Sequence, residues 1–472
     1  VGVQLTNERL ELLAYRMEKG GRAQFEDPTG PGNDPAGTRV VLHLSADIAE
    51  QRAYYRFLNN AKVKETELVA ETAKRMEGLS TGRHLLCIQD TCEVNLQAHQ
   101  GRLMAASGLG RSDNADSANC FKLHPGLVVD ADHFTPLGFS HVKLFHRPEQ
   151  RPSRLERNYK RQPIEEKESY KWIEVAQRSK EVLKEALSVT FIEDREGDIY
   201  EQFALIPEGK YHLLVRSKTT RELANGNSLY EDVGAAPMAG TYTIALPTDS
   251  RKQQYRREAH MELRYLTCWL QCPSNLRAKN YPDRIEVTCI EVRETGGNAT
   301  SPIHWRSLTT HRVTTCQEAL KLVGWYSARW HIEQLFRLLK KQGFGIEEAE
   351  LESGWAVRKL VVMQMTALLK ILQMNIAYND PEGGQPIEEV FDASQIEAMR
   401  RVARKLQGRT TKQQNHNDPK TTKWAAWVIG RLGGWKGYDS QGPPGVIALR
   451  RGLDRLTYIM EGMELARDVH TR

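Results

Sequence analysis

Long apolar runs are missing from this sequence. No stretch of about 18 apolar residues occurs, so a membrane span is not indicated. The opening residues hold no basic segment leading into an apolar one, so neither is a signal peptide. A cytoplasmic location without a membrane partner is the expectation. Cysteine is scarce: Cys87, Cys92, Cys120, Cys268, Cys272, Cys289 and Cys316 are odd in number and scattered, and only Cys268 and Cys272 are close, with no second pair to complete a zinc site. They read as reduced, mostly buried thiols. Internal repeats and long low-complexity tracts are lacking too. The chain opens at Val1 without a methionine, so the native start is expected to lie upstream.

What is present suffices for two or three domains: 472 residues, 40% of them hydrophobic, can bury real cores. A net charge of +6 does not by itself identify a polyanion partner. Its placement says more. From Arg400 to Lys423 run Arg400, Arg401, Arg404, Lys405, Arg409, Lys412, Lys420 and Lys423 against Asp418 alone. That is a local field suited to phosphates, or else a solvated basic linker.

Residues 1 to about 75 read as helical, with "TNERLELLAYRME" and "AEQRAYYRFLNNAKVKETELVAETAKRME" flanking a turn-rich insert, "DPTGPGNDPAGT". Strands begin at "HLLCIQDT", where Leu85, Leu86 and Ile88 form an apolar run ending on Asp90. "FKLHPGLVVDADHFTPLGFSHVKLF" supplies two more, giving a three-strand meander. A charged loop and a helix from about Ser169 to Ala186 follow. "SVTFIEDREGDIYEQF" is then a strand that ends on Asp194 and passes into a helix, the β-to-α junction where open sheets place their sites. After the strand "YHLLVRSK", the order is β-β-β-α-β-α-β, a mixed sheet with helices. From about 219 to 310, "TYTIALP", "MELRYLTCWL" and "RIEVTCIEVRE" are strand-like with no helix between them, an inserted β subdomain. From Leu360 onward the pattern is helical.

The stretch "YSARWHIEQLFRLLKK" reads as one amphipathic helix with Ile332, Leu335, Phe336 and Leu339 on its core face. Tyr326, Arg329, Glu333 and Lys340 fall on another arc only about 60° wide, because steps of three, four and seven residues return to one face. Carboxylates at two strand ends and one on a later helix are the parts of a two-metal phosphoryl-transfer site, since hard divalent cations take oxygen ligands. With 60 acidic residues in the chain, chance can also supply such a trio.

Tyr326, Arg329, Glu333 and Lys340 match a Y-x2-R-x3-E-x6-K signature, and with it the chain resembles the bacterial DDE transposases of the IS-four family, particularly the Tn-five type. "IQDT" at Asp90, "EDREGDIY" at Asp194, "VRSK" at Arg216, "HW" at Trp305 and "IGRLGGW" near the C-terminus fall in that family's order, and the likeness runs from about residue 50 to the end. The resemblance implies an α/β fold: a ribonuclease-H-like mixed sheet with the β insertion, flanked by helical regions. It implies an N-terminal DNA-binding region over 1–65, lacking the family's first helix, a catalytic domain over 66–370 and a C-terminal dimerisation region over 371–472. Asp90, Asp194 and Glu333 would be the catalytic residues and metal ligands for two Mg²⁺, with Mn²⁺ able to substitute. Tyr326, Arg329 and Lys340 would hold DNA phosphate, or else form an exposed helix face with an Arg329–Glu333 ion pair. Arg216 would lie near the transposon end, or else be a solvated strand-end arginine. Trp305 would stack on a flipped base, or else be a core tryptophan. Arg337 replaces a family lysine, an exchange that suits a backbone phosphate better than a base.

The function implied is cut-and-paste transposition: nicking at the transposon end, hairpin formation, hairpin opening and strand transfer. Its partners would be double-stranded DNA, both transposon ends and target, and a second copy of the chain in a homodimeric synaptic complex. The alternatives are a Mg²⁺-dependent nuclease of the same fold and a non-catalytic DNA-binding descendant of a transposase. The N-terminal residues and the turn-rich insert depart from the family. So does the acidic run Glu347, Glu348, Glu350 and Glu352 just past Lys340, and the end sequence recognised is not legible.

Overall fold

The computed structural model describes residues 22–26, 39–43, 48–97, 101–104, 107–112, 119–147, 162–246, 256–296, 302–341, 344–382, 384–438 and 441–470. The expected first helix, "TNERLELLAYRME", and the insert "DPTGPGNDPAGT" lie outside them. Either side of that insert the helical reading is corrected: Arg22–Glu26 (β1) and Arg39–His43 (β2) pair as antiparallel strands. "RVVLH" carries adjacent valines, which suit a pleated strand better than a helix. Helices Ile48–Asn59 (α1) and Glu65–Leu79 (α2) follow.

His84–Gln89 (β3) sits at the centre of the large sheet. Short strands Cys92–Asn95 (β4) and Gly110–Arg111 (β5) precede the meander partners Asn119–Asp130 (β6) and Pro136–Phe145 (β7), which run antiparallel to β3 and to each other in turn. Helix Tyr170–Val182 (α3) leads to Ser188–Glu193 (β8), parallel to β3 on its other side. After Tyr200–Leu205 (α4), Tyr211–Arg216 (β9) adds parallel to β8. Three antiparallel strands, with two parallel ones added beyond the first, make the ribonuclease-H-like arrangement.

The insertion is β-rich, as expected, but its strands do not form a sheet of their own. Gly240–Leu246 (β10), Arg257–Gln271 (β11), Arg284–Thr295 (β12) and His304–Thr309 (β13) form an antiparallel run, and β13 pairs with β9, so the central sheet continues through them. A helix that the sequence pattern did not show, Leu229–Ala235 (α5), precedes them. Its buried anchors are Leu229 and Val233 alone, too few to reveal a helical period.

Alternation along the strands sorts residues between two cores. Leu85, Cys87, Val189, Phe191, Leu213 and Val215 join Ile173 and Ala176 of α3 on one face. Leu86, Ile88, Ile192 and Leu214 join the C-terminal helices on the other. These helices are Cys316–Ser327 (α6), Trp330–Lys340 (α7), Gly354–Asn379 (α8), Ala393–Leu406 (α9), Thr422–Leu432 (α10) and Val446–His470 (α11). Successive side chains point to opposite faces, so both faces are covered and the strands read as apolar runs. Among the described residues, α8 alone is long and apolar enough to cross a membrane, although no uninterrupted apolar run spans it. It is buried nearly all round within the protein, as a central core helix is.

Candidate active site

The same alternation aims the site. On β3, Leu86 and Ile88 face the helical core, so Asp90 leaves the strand on that face; Ile192 does the same for Asp194, and Leu214 for Arg216. The parallel register Ile88↔Ile192 sets the two aspartates side by side. Helix α7 buries Ile332, Leu335 and Leu339 against this core, and Glu333 comes to the same edge. Trp305 reaches it from β13: Ser307 lies opposite Arg216, and the Arg216 guanidinium lies 5.5 Å from the Trp305 ring centroid.

The helix carrying the signature is broken. Ala328 and Arg329 form a turn between α6 and α7, where the Arg329 amide donates to the Tyr326 carbonyl at 3.1 Å and the His331 amide to Ala328 at 3.0 Å. Tyr326 therefore lies in the last turn of α6, Arg329 in the turn and Glu333 and Lys340 on α7, so the four signature residues do not share one unbroken helix. The break still serves the site. The Tyr326 phenol lies against Arg329 and Arg216, and burial pushes its pKa up while the two cations pull it down.

Arg329 stands between two of the expected carboxylates, donating to Asp90 Oδ2 at 2.7 Å and to Glu333 Oε1. The Asp90 carboxyl is pushed up to about 6, chiefly by burial; Arg329 opposes the shift, while Asp194 and Glu333 add to it. Asp90 Oδ1 also accepts from the Thr91 amide at 2.7 Å, and Asp194 Oδ1 accepts from the Glu196 amide at 2.8 Å as the cap of a short turn, Arg195–Gly197. The three acidic groups are thus close enough to feel one another, with a guanidinium supplying the positive charge. Among the described residues no three acidic, histidine or cysteine side chains are gathered at ligand spacing. As donors they fit hard divalent ions, since all three offer carboxylate oxygen.

Residues 137–370 match the family model for the transposase DDE domain. That span holds Asp194, Arg216, Trp305, Tyr326, Arg329, Glu333 and Lys340, and leaves Asp90 outside it. The match supports a DDE transposase, and DDE domains of this kind generally use divalent metal ions. A cryo-EM structure of the piggyBac transposase synaptic complex with hairpin DNA is similar at 8% identity and a TM-score of 0.29, over 75% of this chain and 62% of that one. This chain therefore spans less than two thirds of that protein's length.

Two expected phosphate-binding residues of the DDE domain lie apart from the cluster. Lys340 pairs with Glu347 at 3.2 Å and adjoins Cys92. Glu347, part of the acidic run, also accepts from the Asn95 amide at 3.0 Å. Arg337 is exposed on the outer side of α7.

Sequence reasoning missed two features. Arg195 follows Asp194 in "EDREGDIY" and lies close enough to Arg216 to lower its pKa, after burial, which lowers it most. Behind the aspartates runs a buried chain: Glu193 accepts from Gln202 Nε2 at 2.5 Å and from Gln89 Nε2 at 3.4 Å, Gln89 meets His124 Nε2 at 3.0 Å, and His124 Nδ1 meets Thr91 Oγ1 at 2.9 Å. Burial raises Glu193 well above the usual carboxylate range and lowers His124, so in both groups it favours the neutral form. The signal for this chain was available, because Gln89 and Glu193 each precede an aspartate and alternation turns them to the opposite face.

Proposed function

We propose that this chain is a cut-and-paste DNA transposase of the IS-four type. The observation that carries the reading is the convergence of Asp90, Asp194 and Glu333 with Arg216, Tyr326, Arg329 and Trp305 at one sheet edge, from segments far apart in sequence. Asp90, Asp194 and Glu333 would hold two Mg²⁺ ions, which supply activation of a water or 3′-hydroxyl and stabilisation of the leaving oxygen. Arg329 keeps the carboxylates together in the absence of other positive charge. Once they are otherwise neutralised, it is free to hold a DNA phosphate by charge-assisted hydrogen bonds, with Tyr326 and Arg216 beside it. Arg216 braces the half-buried Trp305 ring, whose open face suits a base leaving the stack during hairpin formation. Lys340 can add a phosphate contact when it gives up Glu347. Synapsis of two ends by a homodimer through the C-terminal helices, strand transfer into target DNA and a cytoplasmic, nucleoid-associated location complete the proposal.

Incubation with DNA carrying the flanking element ends and Mg²⁺ should release a linear excised fragment with hairpin termini. Trp305→Ala should nick at near the normal rate yet accumulate nicked DNA, because the first nick needs no base displacement. Nicking without any hairpin or strand transfer in the unaltered protein would replace this reading with a plain nuclease.

A further inference from the structure

The basic segment singled out in the sequence plays no part in the site. On α9, Arg400, Arg401, Arg404 and Lys405 lie on the exposed side, opposite the buried Ile396, Met399 and Ala403. The loop beyond is folded back on itself: the Gly408 amide donates to Gln413 at 3.0 Å, and the Asn415 amide to Gln407 Oε1 at 2.8 Å. It holds Arg409, Lys412 and Lys420 exposed. Arg401 pairs with Glu397 at 2.7 Å. Among the described residues, Arg400, Arg404, Lys405, Arg409, Lys412 and Lys420 have no acidic side chain in ion-pair range. Residues 393–423 carry eight cations against Glu397 and Asp418, a net +6 equal to that of the whole chain, so the remainder is formally neutral.

The placement separates this surface from the catalytic edge. The Ile387 amide donates to the Lys420 carbonyl at 2.9 Å, and nearby Glu389 pairs with Arg83, which immediately precedes β3. Asp90 lies at the other end of that strand, six residue steps or about 20 Å away. We infer that the α9 surface and its loop bind the phosphate backbone of a duplex DNA segment other than the one being cut. The choice of DNA among polyanions rests on the proposed function. An ordered, unpaired array of cations releases counterions from duplex DNA without reading its sequence.

The test uses the full chain and a labelled random-sequence duplex titrated at several salt concentrations. Arg404→Gln/Lys405→Gln/Arg409→Gln should flatten the dependence of log affinity on log salt by about 2.7, at about 0.9 per phosphate contact, which is about 40-fold less affinity lost between 50 and 200 mM salt. Lys74→Gln/Arg178→Gln/Lys184→Gln removes the same charge from exposed positions elsewhere and should leave the slope unchanged. Equal slopes for the first variant and the unaltered protein, equal flattening by both variants, or no duplex binding at all would overturn the proposal. Binding that depends on this surface in a protein that never cleaves element ends with Mg²⁺ would sustain it while removing the transposase reading.

Discussion

Two arginines, Arg358 and Arg329, each meet carboxylates in this fold, with different consequences. Arg358 on α8 is nearly sealed from solvent. Its Nε and Nη2 donate to the two Glu65 oxygens at 2.7 and 2.8 Å, and the rest of the guanidinium donates to the Gly108 and Leu144 carbonyls at 3.1 and 2.9 Å. The His146 Nδ1 lies a further 3.3 Å from Nη1, so the guanidinium is fully engaged within the protein, and the contact ties α2 to the core helix. Arg329 touches Asp90 and Glu333 with Asp194 close by, and both the guanidinium and Glu333 are partly open to solvent. Balanced and closed, an ion pair is structural. Left with surplus carboxylate and open to solvent, it can exchange partners, as a site for cations and phosphates must.

The sharpest break in that comparison removes a carboxylate from the open cluster. Glu333→Gln keeps the shape but loses the charge, and is expected to reduce Mg²⁺-dependent cleavage at least a thousandfold, about 4 kcal/mol, with duplex affinity held within about threefold. Cleavage by that variant near the normal rate would remove Glu333 from the metal-binding set.

Breaking the closed pair should act on stability. Arg358→Ala leaves Glu65 and two carbonyls without their donor, and denaturant unfolding is expected to show a loss of about 3–5 kcal/mol. A loss under 1 kcal/mol would mean that water enters and satisfies the exposed groups.

The smallest effect sharpens the difference. The Asp90 carboxyl, raised to about 6 from its ordinary 3.8, takes a proton more readily folded than unfolded, so its contribution to stability is fully present below about pH 4 and is lost as pH rises through about 6. Arg329 holds that value down. Arg329→Gln should therefore move the apparent midpoint above 6 in metal-free protein, followed by carbon NMR of the carboxyl groups. The cluster titrates together, so the midpoint belongs to all three acids. A midpoint that stays put would show that Arg329 does not neutralise Asp90 in solution.

The chain order of the central strands, Asp90 and Asp194 at strand ends and Glu333 on an amphipathic helix were legible in the residues, because a strand that ends on a carboxylate and a helix with one apolar face are local patterns, whereas Arg216 and Trp305 were singled out only by the family resemblance. Alternation then determines which face each strand-end residue takes, without reference to the rest of the chain. The hairpin at Arg22–Glu26 and Arg39–His43 and the seven-residue Leu229–Ala235 helix escaped notice because such short elements show no period. The turn at Ala328 and Arg329 was hidden by residues that suit a helix on either side of it. Apart from the i,i+4 pair of Arg329 with Glu333, which charges meet was decided by tertiary structure. Arg329 binds Asp90 from 239 positions away, Glu347 occupies Lys340, and Arg337 stays in solvent. Coulomb attraction is set by separation in space and by solvent access, and neither exists until the sheet has brought its strand ends together and α7 has packed across them.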